Sequence, residues 1–105
     1  MVVIKKPENA TNVVEYEIIG NSIDFEDGSL TINLKKREAD EARTIDICRD
    51  SFGDLVIGAA AGDVYVAQII IPARRYTEVP GDEGTILQPV PFDIDLVTLI
   101  LWEER

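Results

Sequence analysis

The sequence predicts an all-β domain, a sandwich or partly open barrel of about seven strands with one short helix. Three observations carry this expectation. Apolar and polar residues alternate with period two in several short segments, the pattern of strands with one buried face. Glycines, prolines and aspartates punctuate those segments at the regular spacing of sandwiches and barrels. Two runs, Val64–Ile71 and residues 92–102, are apolar on both faces, as interior strands are. A mixed α+β domain is the alternative.

From the N-terminus, Val13-Val14-Glu15-Tyr16-Glu17-Ile18 alternates and points Val14, Tyr16 and Ile18 inward. Residues 23–35 read as a β-hairpin, with Ile23, Phe25, Leu30, Ile32 and Leu34 on one face and Asp27-Gly28 as a two-residue loop. Residues 35–43 are strongly charged without an apolar stripe and read as a solvated loop. Residues 44–49 alternate through Ile45 and Ile47 as a strand. Residues 51–61 carry Phe52, Leu55 and Val56 at helical spacing, behind Asp50 and Ser51 as N-cap candidates, and are the expected helix. Val64–Ile71 is the expected central strand, covered on either side, and Pro72 interrupts its pairing because proline lacks the N–H donor. Residues 77–91 hold four prolines and glycines among acidic residues before Pro91 and read as an extended loop or arm. Residues 92–102 are the second interior strand. The whole of residues 1–105 is one β-rich domain, since a chain of this length closes one core.

Composition narrows function. Twenty acidic residues against ten basic ones give a net charge of −10, which repels a phosphate backbone and argues against nucleic acid as a partner. No histidine is present, which removes the commonest general base and zinc ligand. One cysteine, Cys48, forms no internal disulfide and no multi-cysteine metal site, which fits a reducing, cytoplasmic setting. The opening Met1-Val2-Val3-Ile4-Lys5-Lys6-Pro7 lacks the order of a signal peptide, and no apolar run approaches the roughly 20 residues of a membrane-spanning helix. Neither targeting nor a membrane is expected.

Candidate chemistry is sparse. Asp24 to Ser29 offers oxygen atoms beside a glycine, yet the twelfth residue from Asp24 is Lys35 where a calcium loop needs glutamate. A second acidic set, Glu78, Asp82, Glu83, Asp93 and Asp95, reads as solvated loop. Neither is expected to hold a metal, and no cofactor is expected. No spacing fixes a catalytic carboxylate pair, and Cys48 reads as a small packed hydrophobe. Catalytic residues are therefore expected to be none. Arg74-Arg75 is the basic doublet of an otherwise apolar and acidic half. It can clamp a carboxylate from an acidic loop of another copy, or a small anion, or pair internally with Glu78 or Asp82.

These residues lead to a non-enzymatic structural subunit that self-associates or docks into a larger complex. Arg74, Arg75, Tyr76 and Trp102 are its interface or anion-binding candidates. Two strands apolar on both faces need cover, either from the chain itself or from a second subunit. Small acidic β domains occur among bacterial and phage structural proteins, and Ile71-Pro72-Ala73-Arg74-Arg75-Tyr76 followed by Pro89-Val90-Pro91 resembles prophage-type proteins without supplying a family motif. A virion is then an alternative location to the cytoplasm. The competing function is a small-molecule or anion-binding module in which Arg74 and Arg75 hold the anion and Tyr76 and Trp102 form an apolar wall.

Overall fold

Alternating segments pair in three sheets, antiparallel throughout except for one parallel pair at the edge of the largest. The computed structural model describes residues 1–104. A five-stranded sheet has the order β1 (Val2–Lys6), β10 (Thr98–Trp102), β7 (Val64–Ile71), β5 (Arg43–Arg49) and β6 (Leu55–Ile57). Only β1 and β10 run parallel in it. A three-stranded sheet holds β2 (Tyr16–Ile19), β3 (Ser22–Phe25) and β4 (Leu30–Asn33), and a hairpin pairs β8 (Tyr76–Gly81) with β9 (Gly84–Pro89). The one α-helix among the described residues, α1 (Leu34–Arg37), is a single turn. The class is all-β, with open sheet edges and no closed barrel.

The core lies between the two larger sheets. Ile23, Phe25 and Ile32 of the smaller sheet meet Ile45, Ile47, Ala67, Ile69, Ile71, Leu99 and Leu101 of the larger one in one buried cluster. Central position suits β7, whose β-branched residues pack well on a pleated surface. At Val66 the ladder skips a residue, so that Ile47 pairs with Ala67 and Cys48 with Tyr65. Val66 is the extra residue of this β-bulge, and both Val66 and Ala67 are buried. Cys48 is fully buried, as its packing reading requires.

Several expectations need correction. Residues 51–61 form no helix: Gly53 and Gly58 sit at φ 83° and 101°, and Asp50 Oδ1 accepts from the Phe52 and Asp54 N–H groups, closing a turn. Helix appears instead in the charged segment, where Asn33 Oδ1 accepts from Lys36 N–H at 3.1 Å and Leu34 is buried beneath it. The loop of residues 26–29 has four residues, since Phe25 and Leu30 form its closing pair. Tyr16 and Ile18 pair with Phe25 and Ile23 but remain 38 % exposed each, because β2 is an edge strand with a neighbour on one side only. Residues 92–97 are not strand: Asp93 Oδ1 caps a 3-10 turn at Ile94–Leu96 through Asp95 N–H.

The largest difference concerns residues 77–91, expected as an extended loop or arm: as far as Pro89 they belong to the regular hairpin β8–β9, closed by Gly81 and Gly84. Val90 N–H donates to the Arg75 carbonyl at 2.8 Å, which fixes the alternation of bonded and non-bonded pairs. Pro80 and Pro89 then both fall where a backbone N–H would point away from the ladder, so neither removes a cross-strand bond. β7 and β10 are also covered on one face only. Leu99 and Leu101 enter the core, whereas Thr98, Ile100 and Trp102 on the opposite face are half-buried with no layer above them.

Phe25 is a sensitive point of the core, being fully buried between the sheets. Phe25→Ala is expected to lower the unfolding free energy by about 3–5 kcal/mol, measured by urea denaturation with an unchanged m-value.

Candidate functional site

The predicted site residues separate into two places at opposite ends of β7. Beyond Ile71 the chain leaves the sheet at Pro72, and Arg74 N–H donates to the Ala39 carbonyl at 2.7 Å. The Arg74 guanidinium bonds Asp40 Oδ1 at 3.0 Å and the Glu38 carbonyl at 3.1 Å, with the Glu38 carboxylate 3.5 Å from Nε. Tyr76 donates its hydroxyl to the same Asp40 oxygen at 2.5 Å. The Tyr76 hydroxyl and the adjacent Arg74 guanidinium hold the Asp40 carboxyl below the usual carboxylate range. Arg74 thus pairs within the chain, but with Glu38 and Asp40 instead of Glu78 or Asp82. Arg75 is exposed and makes no ion pair among the described residues.

Trp102 stands at the other end, so it cannot form one wall with Tyr76. It lines an open groove of about 870 Å³ with Tyr65, Gln68, Arg49 and Glu104. Lys6 Nζ lies 5.3 Å from the centre of the Trp102 ring, a cation–π contact. The indole N–H is buried without a hydrogen-bond partner.

Arg49, at the edge of this groove, is a residue that sequence reasoning did not single out. Its Nε donates to Glu104 Oε1 at 2.5 Å, its Nη1 to the Gly53 carbonyl at 3.0 Å, and its Nη2 to Glu26 Oε1. One guanidinium therefore joins the β3–β4 turn, the end of β5 and the segment after β10. Hydrogen bonding to Glu104 and then Glu26 raises its affinity for its proton, and bonding to Arg49 lowers the Glu26 pKa. No sequence signal marks such a node, because both carboxylates are far from Arg49 along the chain.

The acidic sets do not converge. Asp24 Oδ1 accepts from Thr31 Oγ1 at 2.7 Å across the β3–β4 pair, and Glu26 faces Arg49. Asp82 and Glu83 occupy the hairpin tip while Asp93 caps the 3-10 turn. Among the described residues no group of three or more Asp, Glu, Cys or His side chains is placed to hold a metal ion, and no helix is long and apolar enough to cross a membrane. No family model, curated protein or solved structure matches the chain.

Removing the cation of the node leaves Glu26 and Glu104 without their shared partner. Arg49→Leu is expected to cost about 2 kcal/mol at pH 7, between the values for exposed and buried pairs. Because the folded pKa of Glu26 is lowered, its contribution is present above the unfolded value of about 4.3 and is lost as pH falls through the lower folded value. The stability gap between wild type and variant should therefore narrow below about pH 4 in urea titrations. Burial first, then Asp63 and Asp46, push the Cys48 thiol up. Cys48 should stay unmodified by a thiol-specific disulfide reagent at pH 8 in the folded protein and react fully in urea.

Proposed function

We propose that the protein is a non-enzymatic assembly subunit, acting through contact surfaces with copies of itself or within a larger complex. The observation that carries this reading is the outer face of the five-stranded sheet. Registered pairing sets Ile4 beside Ile100 and Gln68, and Val2 beside Thr98 and Ile70. Val2 and Ile4 are 54 % and 41 % exposed, and Ile70, Ile100 and Trp102 are half-buried. An apolar band across adjacent strands, rimmed by polar groups, is the character of a surface that another layer covers. A second copy is the occupant this reading takes first, and a phage or prophage particle is one kind of complex into which such a subunit fits. The buried, reduced Cys48 suits the cytoplasm, or a particle assembled there.

The anion-binding module has less support. The Arg74 fork is occupied by Glu38 and Asp40, and Trp102 lies too far along β7 to share a site with Tyr76. Arg75 alone is a single exposed cation, which gives little affinity for a small anion in water.

Light scattering after size exclusion is expected to give a multiple of the 11.7 kDa chain mass across a wide concentration range. Ile100→Glu, which places a charge at the middle of the outer face, should lower that mass without altering the circular dichroism spectrum. A wild-type protein of single-chain mass at every concentration would remove the self-association reading.

A further inference from the structure

The hairpin β8–β9 projects from the body. Its strands pair only with each other, and every residue from Tyr76 to Pro89 except Val79 is exposed. The Cα radius of gyration is 16.6 Å with extents of 58 × 27 × 22 Å, against about 13 Å for a compact domain of this length. Two isolated strands are marginally stable in water. Ile86 and Leu87 are nonetheless 58 % and 67 % exposed there.

Charge is distributed along this arm in one direction. Its tip carries Asp82 and Glu83, and residues 76–89 contain no basic side chain. Its root has a basic excess: Lys36, Arg37 and Arg43 line one groove with Glu38 and Ala39, and Arg74, anchored on Glu38, Ala39 and Asp40, and Arg75 stand beside them, against the carboxylates Glu38, Asp40 and Glu41. Lys36, Arg37, Arg43 and Arg75 make no ion pair among the described residues. The two faces of the arm also differ. Thr77, Gln88, Val79 and Ile86, with Gly81 and Gly84, form an uncharged face, whereas Glu78 shares the other with Leu87. Ile86 leans over Gly81, where an added Cβ would lie 3.1 Å from Ile86 Cγ2.

We infer that two copies lay their arms side by side in antiparallel orientation, uncharged face to uncharged face, with each acidic tip at the basic root of the other. This deepens the assembly reading and rests on it. A six-residue strand spans about 20 Å, so antiparallel arms of equal length bring tip to root at both ends at once. Val79 and Ile86 sit near the midpoint, where a two-fold axis places them against their own counterparts. Such an isologous contact closes after two copies. It also covers Val79 and Ile86, while Leu87 stays on the opposite face of the arm.

The test is a charge exchange in the full-length chain, read by sedimentation equilibrium. Asp82→Lys with Glu83→Lys, and separately Lys36→Glu with Arg37→Glu, each set like charges together at both ends of the contact. Each variant alone should associate about tenfold or more weakly than wild type at this contact. A one-to-one mixture should recover the association, because each tip then meets a root of opposite sign. Variants that associate like wild type, or a mixture as weak as its components, would overturn the arm contact while a multimeric wild type keeps the assembly reading on the sheet face. A wild type that never associates removes both. Should reversal at the root unfold α1, Asp82→Asn with Glu83→Gln tests the tip alone: weakened association supports the contact and unchanged association overturns it.

Discussion

A sheet of five strands covered on one face by a layer of three is the constraint from which the rest of this structure follows. The core face can be fully apolar because β3 and β4 exclude water from Ile45, Ile47, Ile69, Ile71, Leu99 and Leu101. The opposite face meets solvent, and its composition is mixed accordingly. Gln68 donates to Asp46 at 3.0 Å on this face, beside Ile100 and Ile4. A chain of 105 residues buries only a limited fraction of its surface, so a second covering layer lies beyond its means. The bulge at Val66 adapts the sheet to this one-sided core by turning two consecutive residues inward.

Cations are placed where elements must be tied together. In a chain of net charge −10, mutual repulsion of carboxylates opposes compaction, and Arg49 and Arg74 act against it locally. Arg49 links the smaller sheet's turn to β5 and to the end of the chain beyond β10. Arg74 fixes the point at which β7 passes into the arm, against the connection between α1 and β5. Arg49 with Glu26 and Glu104, and Arg74 with Glu38, are half-buried pairs, the geometry in which an ion pair contributes more than an exposed one, whereas Asp40 is largely exposed. Lys35, Lys36 and Arg37 lie on α1 and Arg43 follows it, opposite in sign to the arm tip.

Strand identity was legible wherever one face is buried. Ile23 and Phe25, Ile45 and Ile47, and the run Val64–Ile71 all announce themselves by period or by β-branched density, and each takes its expected place. The failures have physical reasons. Helical spacing at Phe52, Leu55 and Val56 is overridden by glycines at positive φ and by the Asp50 turn. Residues 77–91 read as a loop or arm but not as paired strands, because prolines penalise a strand only at inward-bonding positions, and sequence cannot show which positions those are. For the site, Arg74 and Tyr76 were placed together correctly, but Trp102 was not, and Arg49 was missed, because salt-bridge partners 23 and 55 residues away leave no local trace.

Open strand edges limit how such a chain can associate. β6 has three residues, β1 ends in Lys5 and Lys6, and Pro80 and Pro89 remove outward N–H donors from the two arm strands. Short length, lysines and prolines are the devices by which sheets resist edge-to-edge addition. Backbone pairing between copies is therefore obstructed at the edges of the five-stranded sheet and of the arm, while the apolar side chains of the outer sheet face and the arm remain accessible. A two-fold contact through faces closes after two copies, whereas repeated strand addition at free edges builds fibres. The five-stranded sheet and the arm thus offer apolar side chains on their faces and little free backbone pairing at their edges, the two properties on which the proposed face-to-face contacts rest.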